Sequence, residues 1–147
     1  MEYGLGSDLT APATYVLVID DERLIADTLV HILRDAGFAA SAAYDGESAL
    51  ESARLVPPEV VIADIRLPGM NGIDAAIAIE QSVPDAKALL LSAQGDLADL
   101  SRARQLGHNF LMVAKPVSPV ELLQLVRNLA RIQTHDLQKG SLRDDDR

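Results

Sequence analysis

Asp20, Asp21, Asp64, Ser92 and Lys115 carry the side chains best suited to phosphoryl chemistry, and each stands just past a short apolar run. Asp20 and Asp21 follow Tyr15–Ile19, and Asp64 follows Val60–Ala63. Ser92 follows Ala88–Leu91, and Lys115 follows Phe110–Ala114. Carboxylates held close together repel one another, and without a cation one of them should take up a proton at raised pKa. A hard divalent cation removes the conflict. Mg²⁺ prefers oxygen ligands and keeps several waters, and it bridges readily to a phosphoryl group. Two carboxylates could hold the ion while the third attacks phosphorus. The Lys115 ammonium and the Ser92 hydroxyl could then bind oxygens of the transferred group. Positioning and charge neutralisation do most of the work in such a transfer.

Each residue also has a plainer reading. Asp20 and Asp21 could cap a helix, Asp64 could open a turn, and Ser92 could simply end a strand. Lys115 could lie along apolar surface with its head in water. The conjunction outweighs these readings, because four of five strand ends carry a useful group in a fold that brings those ends together.

The elements that would do so are short. The four apolar runs are continuous and do not alternate, which is the pattern of strands buried on both faces of a parallel sheet. A weaker run, Ala39–Ala43, fits a less demanding strand position, since Ala is a poor strand former. Helical patterns lie between and after the runs. The first spans about Glu22 to Ala36, with Leu24, Ile25, Thr28, Leu29, Ile32, Leu33 and Ala36 on one face and Gly37 as its stop. The second spans Gly46 to Leu55, capped by Asp45, and the third Gly72 to Ser82. The fourth spans about Asp96 to Leu106, closed by Gly107. The fifth opens at Ser118 with the signature of a capping box and continues to about Thr134. Five β–α units of this kind, (βα)5, fold as an α/β doubly wound parallel sheet with helices on both faces. Ligands of such sheets bind outside the carboxyl ends of the strands.

Composition narrows the function further. The chain has 147 residues, 48% hydrophobic and 24% charged, which is globular and not disordered. Its 13 Lys and Arg against 22 Asp and Glu give a net charge of −9. A nucleic-acid surface needs a basic face, and there is no basic run here. The absence of Cys excludes disulfides, thiolate metal sites and Cys nucleophiles. No apolar run approaches the length of a membrane helix, and the N-terminus does not read as a signal peptide. The expectation is a cytoplasmic domain over residues 14–134, with flexible tails at 1–13 and 135–147. About a dozen residues after the fifth helix are too few for an output domain.

Taken in order, the motifs resemble the response-regulator receiver domain of two-component signalling. They are Asp20-Asp21, the segment Asp64-Ile65-Arg66-Leu67-Pro68-Gly69-Met70-Asn71-Gly72, the pair Ser92-Ala93, and Lys115-Pro116. The resemblance covers about Thr14 to Thr134. It implies a flavodoxin-like sheet of order 2-1-3-4-5 and a cis bond before Pro116. It makes Asp64 the phosphoacceptor, with Mg²⁺ on Asp20, Asp21, Asp64 and the backbone carbonyl of Arg66. Ser92 and Lys115 take the family's Thr/Ser and Lys positions. A sensor histidine kinase or phosphotransfer protein is the implied donor and an unidentified protein the target. The chain would be an acceptor and not an enzyme. One departure stands out. The family usually has Tyr or Phe three residues before the Lys, and here Met112 occupies that place. Phe110, two residues earlier, would share its face and could stand in for the missing ring; the plainer reading is that both pack the core. The run Phe110–Ala114 lacks the charge pattern some relatives use to pair, so a monomer is expected.

Three other families use acidic or glycine-rich strand ends in a similar fold. A haloacid-dehalogenase phosphohydrolase needs Asp-x-Asp after its first strand, whereas the chain has Asp20-Asp21-Glu22. A dinucleotide-binding fold needs a Gly-rich turn there, and none exists. A receiver-fold interaction module not regulated by phosphorylation usually lacks part of the acidic set or the Lys, and this chain has them all.

Overall fold

Val16, Leu17, Val18 and Ile19 are sealed from solvent on both sides of the first strand, as their unbroken apolar run predicts. That strand, β1 (Tyr15–Ile19), lies inside a five-stranded sheet with β2 (Ala39–Ala43), β3 (Val60–Asp64), β4 (Lys87–Ser92) and β5 (Leu111–Ala114). The order is β2-β1-β3-β4-β5 and every pairing is parallel. The computed structural model describes residues 13–93, 97–108 and 110–131. The tails expected at 1–13 and 135–147 fall almost wholly outside the described residues, as do Asp96 and the last turn expected at Thr134.

The helices are α1 (Arg23–Asp35), α2 (Gly46–Leu55), α3 (Gly72–Ser82), α4 (Leu97–Gln105) and α5, described over residues 119–131. Local chemistry sets their ends. The Asp45 carboxylate accepts the Ser48 N–H at 2.7 Å, and the Asn71 side chain accepts the Asp74 N–H at 2.9 Å. The Ser118 hydroxyl accepts the Glu121 N–H at 3.1 Å. Gly37 closes α1 at φ +99°, a conformation that suits a residue without Cβ.

Strand residues alternate between two cores. Val16, Val18, Ile62, Leu89 and Leu91 face α1 and α5. Leu17, Ile19, Val61, Ala63 and Leu90 face α2, α3 and α4. Helices thus cover both faces, as the (βα)5 pattern predicts.

Two expectations are corrected. The buried stripe of α1 is Ala26, Leu29, Val30 and Leu33, whereas Leu24 is 81% exposed and Ile25 37% exposed. The i, i+3, i+4, i+7 set around the small Ala26 lets the helix approach the sheet, and it leaves the two bulky residues of the first turn outside. The last strand is not buried on both faces either. It starts at Leu111, not Phe110, and as the sheet edge it leaves Leu111 and Ala114 exposed. The Ala-rich β2 forms the other edge, the less demanding position expected of it.

Candidate functional site

β1 and β3 are neighbours, so their carboxyl ends deliver Asp20, Asp21 and Asp64 to one place. Each of the three offers an oxygen within 4.8 Å of the others. Asp20 and Asp64 are buried, and Asp21 is exposed. The Asp20 N–H donates to the Ala43 carbonyl at 3.1 Å, which fixes the β1 end against β2. Its Oδ1 accepts the Glu22 N–H at 3.0 Å, so it braces the turn into α1 instead of capping the helix. Its Oδ2 is buried with no hydrogen-bond partner among the described residues. A buried carboxylate oxygen left unpaired is costly. Burial is the main reason the Asp20 pKa is raised, and the charges of Asp64 and Asp21 add to it. The Glu22 N–H and the Lys115 ammonium offset this only in part.

Asp64 ends β3. Its Oδ1 accepts the Arg66 N–H at 3.2 Å, and its Oδ2 accepts a hydrogen bond from Lys115 Nζ at 2.8 Å. Burial works against the Lys115 ammonium, but the hydrogen bond and charge of Asp64 outweigh it and raise its pKa. Lys115 follows β5 and precedes a cis bond to Pro116. Its N–H donates to the Ser92 carbonyl at 2.8 Å, so the ends of β4 and β5 meet here. Ser92 is buried at the end of β4. All the sequence-predicted side chains thus sit at the carboxyl edge of the sheet, and Arg66 contributes its backbone beside Asp64.

The loop after Asp64 turns back sharply. The Gly72 N–H donates to the Ile65 carbonyl at 2.8 Å. A Cβ on Gly72 would lie 2.0 Å from the Asp64 carbonyl oxygen and 2.9 Å from Ile65 Cα. Only backbone could move to relieve that contact. We expect Gly72→Ala to cost about 3 kcal/mol, the upper range for forced overpacking. Thermal unfolding should show a Tm lower by on the order of 10 °C.

The donor set is all oxygen, acidic and partly buried, with one orphaned atom. It fits a hard cation far better than a soft one. The same sheet edge is where an open α/β fold binds its ligands, beside the reversal of strand order between β1 and β3.

Residues 16–127 match the response regulator receiver domain. The chain belongs to this family. It is 35% identical over 123 residues to the DNA-binding response regulator MtrA of Mycobacterium tuberculosis, covering 82% of this chain and 51% of that protein. It is 35% identical over 116 residues to the transcriptional regulatory protein CreB of Escherichia coli, covering 79% of this chain and 50% of that one. The chain therefore spans about half the length of the curated relatives it matches. Among solved structures, it resembles the Vibrio cholerae chemotaxis protein CheY4, with a TM-score of 0.73 and 26% identity over 80% of this chain and 99% of that one. A CheY-like receiver domain protein from Methanospirillum hungatei superposes with a TM-score of 0.79 at 22% identity, covering 85% of this chain and 99% of that one, which speaks to fold alone. Among the described residues of this receiver, no helix is long and apolar enough to cross a membrane.

Met112 and Phe110 share one face, as their spacing predicts, and both pack against the α2–α3–α4 core. Phe110 also stacks on His108, with ring centroids 5.7 Å apart, and His108 Nδ1 lies 2.6 Å from Glu80 Oε1. Sequence reasoning missed a further group beside the receiver site. The Arg23 guanidinium lies 4.0 Å from the centre of the Tyr44 ring, and the Tyr44 hydroxyl donates to Asp27 at 2.6 Å. Arg23 and Asp27 stand four residues apart on α1, a detectable spacing, but Tyr44 comes from the turn after β2, and no local pattern announces that meeting.

Proposed function

We propose that this receiver, over residues 14–134, takes a phosphoryl group onto Asp64 from a sensor histidine kinase or phosphotransfer protein, and that the modified form changes its contacts with other proteins. The observation that carries the reading is the buried Asp20–Asp64 pair with an orphaned Asp20 oxygen and an ammonium already on Asp64. Mg²⁺ would be held by Asp20, Asp21, Asp64 and the Arg66 carbonyl, and would supply positive charge to the phosphoryl oxygens. The Asp64 carboxylate attacks phosphorus of a phosphohistidine. Its new O–P bond forms as the P–N bond breaks, and the imidazole leaves with that electron pair. Lys115 then exchanges its bond to the Asp64 carboxylate for a phosphoryl oxygen, and the Ser92 hydroxyl binds another. The chain is the acceptor in this scheme, not an enzyme turning over a separate substrate. A net charge of −9 supports protein targets over nucleic acid for this domain.

The test is phosphotransfer in Mg²⁺ from an autophosphorylated histidine kinase, followed by label on the chain. Transfer supports the scheme. A kinase panel and small phosphodonors that all leave the chain unlabelled would instead favour an interaction module that never takes phosphate.

Lys115→Ala should fold and still accept phosphate slowly, but should lose the coupling between phosphate and conformation. The ammonium is the one cationic side chain hydrogen-bonded to Asp64 among the described residues. Amide NMR spectra with and without beryllofluoride would report this. Shifts in α4 and β5 as large as in wild type would refute the role. Light scattering under the same conditions should find a monomer, since β5 is a four-residue edge strand with no charged side chain to pair with a second copy; a stable dimer would contradict this.

A further inference from the structure

The first turn of α1 follows directly on Asp20 and Asp21, yet the usual anchors of a helix start are weak there. Its N-cap, Glu22, makes no side-chain cap hydrogen bond. Leu24 is 81% exposed and Ile25 37% exposed, so the small Ala26 is the only buried side chain of the first turn. Tyr44 holds it from the outside. Its ring lies under the Arg23 guanidinium at 4.0 Å, and its hydroxyl donates to Asp27 one turn on at 2.6 Å. The hydrogen bond to Asp27 raises the Tyr44 pKa, in keeping with a hydroxyl committed as donor. The ring also packs against the core beneath α1 and α5. The residue before it, Ala43, accepts the Asp20 N–H at 3.1 Å. One dipeptide, Ala43-Tyr44, thus grips the metal-ligand loop twice, by backbone at Asp20 and by side chain just beyond Asp21.

We propose that Arg23, Tyr44 and Asp27 form a positioning clasp that sets the place of Asp21 beside Asp20 for Mg²⁺, and so tunes the affinity of the receiver for the ion. This rests on the Mg²⁺-dependent reading above. Asp20 is fixed by its own burial and hydrogen bonds. Exposed Asp21 has no such enclosure, and its position depends on where α1 begins. Loss of the clasp lets the turn wander and raises the cost of gathering the ligands.

The sign of the effect separates this role from simple electrostatics. Arg23 is a cation two residues from Asp21. If it acted only through its charge, removing it would make the site more negative and tighten Mg²⁺ binding. If it acts by position, removing it weakens binding.

The experiment is calorimetric Mg²⁺ titration of the full chain, wild type beside Arg23→Gln, Arg23→Lys, Tyr44→Leu and Tyr44→Phe. Arg23→Gln and Tyr44→Leu should bind Mg²⁺ about two- to five-fold more weakly, the ratio that an exposed cation–π pair is worth. Arg23→Lys keeps a cation over the ring and should bind nearly as wild type does. Tyr44→Phe keeps the ring and should fall between. Phosphoryl uptake at saturating Mg²⁺ should stay near wild type in all four. In the metal-free protein, the Glu22 amide should exchange with solvent faster in Arg23→Gln than in wild type. Arg23 is exposed, so its variants carry the test even if Tyr44→Leu does not fold. Arg23→Gln binding Mg²⁺ as tightly as wild type, or more tightly, would overturn the clasp and leave the proposed function standing. A wild-type chain that binds no Mg²⁺ would overturn both.

Discussion

Chelation of divalent metal, or Asp21→Asn in a folded chain, should cut phosphoryl uptake about a hundredfold or more, because the metal supplies several kcal/mol of charge stabilisation in such transfers. Without a cation the acidic set repels an incoming phosphoryl group. The folded pKa of Asp20 is raised, mainly by burial. A group of this kind favours the fold when protonated. That contribution is fully present below the ordinary carboxylate range and is lost as pH rises through the raised folded value. At neutral pH, ionised Asp20 therefore costs the metal-free protein stability. Asp20→Asn should be more stable than wild type in the absence of metal at neutral pH. Mg²⁺ at ten times its Kd should stabilise wild type by about 1.4 kcal/mol and Asp20→Asn by much less. The stability gap between metal-free wild type and Asp20→Asn should close as pH is lowered toward the carboxylate range. Denaturant melts across that pH range, with and without Mg²⁺, would check each part. Equal stability of the two proteins at every pH would contradict the role given to burial, and full uptake in excess chelator would contradict the role given to the metal.

Most of the frame was legible in the residues. Continuous apolar runs at Tyr15–Ile19 and Val60–Ala63 can satisfy only a strand covered on both faces, and both are. Asp45 and Ser118 stand where helices begin, because their side chains can take the backbone donors that a helix start leaves free. The site was legible because parallel β–α units put every strand's carboxyl end on one edge, so residues 20, 64 and 115 must meet there. What escaped was set by packing between distant elements. The facing of α1 is decided by how closely Ala26 lets the helix approach the sheet, and the apolar Leu24 and Ile25 mislead a pattern based on hydrophobicity alone. Periodicity gives β5 the same reading as β3, yet β5 has a strand on one side only. The meeting of Tyr44 with Arg23 depends on β2 lying beside β1. Hydrophobic patterning shows that a strand exists but says nothing of its neighbours.

The reading stands or falls on one oxygen nucleophile. Asp64 ends β3 with one carboxylate oxygen on the Arg66 N–H and the other on Lys115, beside the two carboxylates that would hold the metal. Asp64→Asn keeps the size and shape of the side chain and removes the charged nucleophile. The direct measurement is intact mass and peptide mapping of wild type and Asp64→Asn after incubation with a phosphodonor and Mg²⁺. Wild type should carry a single phosphoryl group that maps to Asp64, and the folded variant should carry none. A normal adduct on Asp64→Asn, or a wild-type adduct that maps to another residue, would contradict the account.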